Sequence, residues 1–198
     1  MKILVNPGHA PNTPGKCSPD KSLYEWQWNL LTAELTVRTL MSAGYDAELV
    51  RAMDEKVSLT GPVSHANAVC QKLGKENVLF ISIHCDAARG TGWQHAKGWS
   101  IWTTVGQTES DVLATSIYHA AEKVMPKRTL RKQMADGDVD FESNFYVLRK
   151  TACPAVLIEH GFMNDREECE FLKTDGSKVL AAETIVTGIE DYLKSKKK

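Results

Sequence analysis

Three apolar runs in this chain stop abruptly at residues suited to metal or acid–base chemistry, and that pattern constrains the fold more than any other feature. Ile3–Val5 runs into Asn6-Pro7-Gly8-His9, Val78–Ile83 into His84, and Ala155–Ile158 into Glu159-His160. Three further short runs read as strands: Ala47–Val50, Trp99–Thr103 and Phe145–Leu148. Several of these runs do not alternate polar with apolar residues, as expected for strands covered on both faces. Between them lie stretches of helical period. The clearest starts near Ser22, steps through Leu23, Trp26, Leu30, Ala33, Val37 and Leu40, and stops at Gly44. Others are expected from about 62 to 73, 110 to 124, 166 to 172 and 177 to 193, and Asp165 with Glu168 reads as a capping box for the fourth. Strands alternating with helices imply an α/β domain, three layers deep, around a twisted and mostly parallel sheet of about six strands.

Composition narrows the possibilities. A chain of 198 residues without an internal repeat or a low-complexity linker is expected to form one domain, residues 1–198. With 24 Lys and Arg against 25 Asp and Glu, the net charge is −1, which lacks the basic footprint of a nucleic-acid binder. The five cysteines are scattered and form no CxxC, so neither a disulfide framework nor a thiolate zinc site is suggested. No apolar run approaches the roughly 20 residues of a membrane span. Met1 and Lys2 lead directly into three apolar residues, short of the apolar core of an export signal.

In an open α/β sheet, ligands bind outside the carboxyl ends of the strands. Two histidines and a carboxylate delivered there make a candidate zinc site, since zinc takes imidazole nitrogen and carboxylate oxygen. Taken singly, His9 and His84 are equally readable as hydrogen-bonded rim residues, and His65, His95, His119 and His160 have no claim beyond that. Glu25 has two readings. Ser22-Leu23-Tyr24-Glu25 fits a capping box, worth about 1 kcal/mol, yet Glu25 flanks the apolar stripe with Asn29 one turn on, so it could also lean over the sheet edge. Spacing alone does not choose between them.

Asn6-Pro7-Gly8-His9, Glu25 with Asn29, Ser82-Ile83-His84-Cys85-Asp86 and Ile158-Glu159-His160-Gly161-Phe162 occur here in the order seen in a known family. Together they resemble the zinc-dependent N-acetylmuramoyl-L-alanine amidases of the Amidase_3 type. Val57-Ser58-Leu59, Ala66-Asn67, Tyr146-Val147-Leu148-Arg149 and Pro154-Ala155-Val156-Leu157 agree with it. The resemblance implies Zn2+ as cofactor, His9, Glu25 and His84 as its ligands, Glu159 as the catalytic glutamate, and peptidoglycan as substrate. It favours the ligand reading of Glu25. With no export signal read at the start, a chain made in the cytoplasm that acts on the cell wall is expected, reached by phage-lysin-like release or with a leader absent from this sequence. A monomer without a separate wall-binding module, without nucleic-acid contacts and without membrane insertion is expected.

Four departures from the family pattern stand out: Asn6 where Asp is usual, Ala10 where Gly is usual, Val63-Ser64-His65 where an Arg precedes Ala66-Asn67, and Asp165 where an Asn is common after Gly-Phe. The glycine-containing segment Arg89–Lys97 is expected to form a mobile rim, with Trp93 a candidate sugar or peptide contact. Residues 126–143 leave little room for the inhibitory helix of some family members, so constitutive activity is expected. The competing classes are a thiol hydrolase using Cys85 or Cys153, a zinc peptidase cutting another stem-peptide bond, and a non-catalytic wall-binding module.

Overall fold

The computed structural model describes residues 1–51, 59–134 and 137–197. Val57 and Ser58 of the quoted motifs lie outside the described residues. The strands are β1 (Lys2–Pro7), β2 (Asp46–Leu49), β3 (Val78–Asp86), β4 (Ser100–Thr103), β5 (Phe141–Glu142) and β6 (Ala155–Phe162). They form one sheet in the order β2-β1-β3-β6-β4-β5. β2, β1, β3 and β6 are parallel, whereas β4 runs antiparallel to β6 and carries β5 parallel to itself.

The helices are α1 (Glu25–Ser42), α2 (Thr60–Leu73), α3 (Glu109–Val124), α4 (Tyr146–Lys150), α5 (Arg166–Lys173) and α6 (Asp175–Ser195). On one face of the sheet, Ile3, Val5, Ile81, Ile83 and Ile158 pack with Ala33, Ile117 and Ile185 of α1, α3 and α6. On the other face, Leu4, Phe80 and Leu157 meet Val63 and Ala66 of α2 and Leu148 of α4. Both faces are covered, so strand residues on both are apolar, which is why the runs did not alternate.

The run Phe145–Leu148 is not a strand. Residues 146–150 form α4, whose Val147 and Leu148 are buried together against the α2 side, and the edge strand is instead the two-residue β5. A four-residue apolar run carries no periodicity that separates strand from helix.

The buried face of α1 is also rotated from the expected stripe. Glu25, Trp28, Asn29, Thr32, Ala33, Thr36 and Leu40 point inward, while Trp26 and Leu30 are only half-buried. Trp28 is anchored by its indole N–H, which donates to the Leu172 carbonyl at 2.8 Å. This rotation sets the polar start of α1 over the end of the sheet.

The expected capping box at Ser22 is absent: Tyr24 is the N-cap without a side-chain bond, and the Ser22 hydroxyl donates to Asp20. At α5 half of the box forms. Asp165 accepts from the Glu167 and Glu168 amides, but the Glu168 carboxylate turns away to form a bidentate pair with Arg128 at 2.8 and 2.9 Å. The same carboxylate accepts from the amides of Gly98 and Phe162, tying three segments together near the end of β6.

Candidate active site

β1 and β3 lie side by side, so the loop after Pro7 and the last residues of β3 emerge together. The chain turns sharply at Gly8 and His9. A Cβ on Gly8 would fall 2.1–2.5 Å from the His84 ring atoms, so only glycine admits this approach. His9 holds a left-handed backbone, φ +62°, an uncommon conformation for a side-chain-bearing residue and one often found at functional sites.

Glu25, the first residue of α1, reaches both imidazoles. Its Oε1 lies 3.3 Å from His9 Nε2 and 3.2 Å from His84 Nδ1, and it accepts from the Cys85 amide at 3.2 Å. The rings of His9 and His84 meet edge to face at 4.9 Å. Asn29, one turn further along α1, donates to the Gly8 carbonyl at 3.0 Å and approaches Glu25 Oε1 at 3.5 Å, fixing loop and carboxylate together.

Burial opposes the charge on Glu25, but the hydrogen bonds and charges of His84 and His9 outweigh it and hold the carboxyl well below its usual range. Burial lowers the His84 pKa despite the pull of Glu25. Two imidazole nitrogens and a carboxylate oxygen within 4.8 Å of one another suit zinc, which takes three protein ligands in its catalytic sites. Glu25 Oε2 is buried without a hydrogen-bond partner, and the Lys16 ammonium stands 3.7 Å from it. The donor set therefore fits a divalent metal.

Glu159 is the register partner of His84 on the neighbouring strand, so both side chains rise from the same face of the sheet. Its Oε2 is buried and unpartnered. Burial first, then the carboxylates of Glu25 and Asp86, push its pKa well above the ordinary value, with Lys16 and Arg131 pulling the other way.

Asn6 does not touch the histidines. Its amide donates to the Val50 carbonyl and its oxygen accepts from the Ser82 hydroxyl, stitching β1 to its neighbours in the interior. The first of these bonds needs a donor, which an ionised Asp lacks.

His160 stays outside the site, buried between Trp28 and Trp99, where burial pushes its pKa down to about 3. Of the tryptophans, Trp99 is fully buried and Trp102 stacks on Phe141, while half-buried Trp93 lies under the Arg166 guanidinium. The segment carrying Trp93 is tied down at Ala88 and Gln94 through Asn164, and at Lys97 through Glu167.

Sequence reasoning missed Lys16 and Arg131 beside the site. Arg131 pairs with Asp86 at 3.0 Å, and no local motif marks two residues 45 positions apart. Cys85 and Cys153 are buried, with thiols pushed up by burial, which disfavours the thiolate a nucleophilic cysteine needs.

Residues 3–191 match the model of the Amidase_3 family, described as N-acetylmuramoyl-L-alanine amidase. This chain belongs to that family. Among similar amidases, CwlM of Bacillus licheniformis, an N-acetylmuramoyl-L-alanine amidase, is 33% identical over 88% of the chain. The sporulation-specific N-acetylmuramoyl-L-alanine amidase of Bacillus subtilis is 29% identical over the whole chain. The chain spans 61% and 70% of the lengths of these two relatives. The crystal structure of an N-acetylmuramoyl-L-alanine amidase from Clostridium difficile 630 superposes with a TM-score of 0.80 at 28% identity, covering 99% of this chain and 98% of that one. The mostly parallel six-stranded α/β architecture is thus that of the amidases.

Proposed function

We propose that this chain hydrolyses the amide between the lactyl group of N-acetylmuramic acid and L-alanine in peptidoglycan, as a zinc enzyme. His9, Glu25 and His84 would hold the metal, and Glu159 would act as general base and acid. The observation that supports this most strongly is the meeting of two imidazoles on one buried carboxylate, directly beside Glu159 on the adjacent strand. Bound there, zinc supplies a Lewis acid that acidifies water and polarises the scissile carbonyl.

The protein's own residues do the rest. Glu159 takes the proton of the attacking water on a carboxylate oxygen and returns it to the departing amine nitrogen. Burial, with the Glu25 and Asp86 carboxylates, raises its proton affinity above that of an ordinary carboxylate, the direction expected of a general base. Asn29 positions Glu25 and the Gly8 carbonyl at once, so the ligand-bearing turn is set before substrate arrives. The wall is the site of action in this reading, with the chain acting as a monomer and needing no activator.

Glu159→Gln is the direct test. It is expected to retain stoichiometric zinc while its release of stem peptide from murein falls by about 10²–10⁴-fold. Full activity in that variant overturns the role of Glu159. Mass spectrometry of murein digested by the wild-type chain identifies the bond. Cleavage within the stem peptide would replace the amidase reading with a peptidase one.

A further inference from the structure

A second cluster of chelating groups lies away from the candidate active site. Asp111 comes from the first turn of α3, and Asp138 and Asp140 from the segment leading into β5. One ligand oxygen from each lies within 4.8 Å of the others. β4 runs antiparallel to β6, so its last residue, Thr103, lies further from the candidate active site than Ser100, the register partner of Glu159 at the start of β4.

Hydrogen-bond donors run out inside this cluster. Thr108 satisfies Asp111 Oδ2 through its amide and hydroxyl, and Gln107 satisfies Asp138 Oδ2 at 2.9 Å. The Thr103 hydroxyl has one hydrogen, yet Asp140 Oδ2 at 2.5 Å, Asp111 Oδ1 at 3.0 Å and the Thr104 carbonyl at 3.3 Å all compete for it. The remaining oxygens, Asp138 Oδ1 and Asp140 Oδ1, are buried with no partner. Asp140 itself is only 1% exposed. Burial first, then the charges of Asp138 and Asp111 and a hydrogen bond with Asp138 in the protonated form, hold its carboxyl up at about 7 against the pull of the Thr103 hydroxyl. Buried carboxylates of one sign need a cation or a proton.

We infer that Asp111, Asp138 and Asp140 form a calcium site that pins the edge strand β5 to the start of α3. The three donors are all carboxylate oxygens, the kind that calcium takes, with no imidazole or thiolate among them to favour zinc. Calcium's flexible coordination also suits carboxylates from separate segments better than the strict octahedron of magnesium. The inference is independent of the reaction proposed above.

The test uses the zinc-loaded chain in calcium-free buffer. Titration with CaCl2 is expected to show one site per chain by calorimetry. It should raise Tm by about 5–10 °C when calcium exceeds Kd by about 100-fold. Asp140→Asn keeps the shape, removes one charge and is expected to lose both signals. Asp138→Asn, at a half-buried position, is expected to do the same and decides the matter if the first variant fails to fold. No binding of calcium at millimolar concentration overturns the inference and leaves a shared proton to neutralise the cluster. Binding of magnesium alone, or an undiminished calcium site in the variants, also overturns it.

Discussion

Two buried polar clusters border the same sheet, one where β1 and β3 end and the other beside the edge strand β5, and burial acts alike on Glu25 and Asp140. Their neighbours differ. Glu25 faces two imidazoles, which keep it ionised despite its burial, whereas Asp140 faces two other carboxylates, which drive it toward its neutral form. The sign of the nearest charges therefore decides what each buried acid becomes. In the readings proposed above, the first cluster would hold zinc on nitrogen and oxygen and the second calcium on oxygen alone.

The comparison breaks most severely if the charge of Glu25 is removed. Glu25→Gln preserves the shape, yet it is expected to weaken zinc binding by more than the about 10–100-fold typical of outer-shell changes, read by competition with a chelating dye. His9 and His84 would then have no ionised carboxylate between them.

Gly8→Ala sharpens the contrast by touching geometry and leaving charge alone. The added methyl would meet the His84 ring at 2.1–2.5 Å, so the ring must move. A fall in kcat of about 10²-fold is expected, from a displacement of the order of 1 Å. A variant of wild-type activity would show that His84 is not held by this contact.

The aspartate cluster is read through pH. In calcium-free buffer the folded state keeps the Asp140 proton up to about pH 7, while the unfolded chain releases it near the ordinary aspartate value of 3.8. Between those values the native state binds more protons, so stability falls as pH rises, with a slope of at most about 1.4 kcal/mol per pH unit. Asp140→Asn is expected to remove this slope in urea unfolding curves taken from pH 4 to 7. An unchanged slope would locate the titration elsewhere.

The smallest effect is expected at a residue outside both clusters. Asn6→Asp replaces the donor to Val50 with an acceptor in the interior and is expected to cost about 1–3 kcal/mol at neutral pH. Equal stability in both forms would mean that this strand-to-strand bond contributes nothing net.

Much of this was legible in the sequence where chemistry followed directly on a buried strand. His84 and Glu159 each end an apolar run, and a parallel sheet brings such ends together, so their proximity follows from topology. The start of α1 was harder to read. Its inward face is half polar, with Glu25, Asn29, Thr32 and Thr36 buried, so a search for the most apolar stripe selected Trp26 and Leu30 instead. The diagnostic signal was a polar row at helical spacing that shared Ala33 and Leu40 with the apolar one. Phe145–Leu148 misled because β-rich composition in four residues does not outweigh packing against α2. The aspartate cluster and the Arg128–Glu168 pair were invisible, since each joins segments far apart in sequence and neither has a local pattern.

The reversal of β4 has a consequence for how this scaffold diversifies. The chain reaches the candidate active site by entering β4, through residues 87–99, whereas β1, β3 and β6 reach it on leaving. The rim is therefore built on a segment that carries none of the four proposed chemical residues. Changes at its exposed positions, such as Arg89 and Gly92, touch none of the proposed metal ligands directly. Exchanging this one segment between relatives is expected to leave the proposed reaction centre intact.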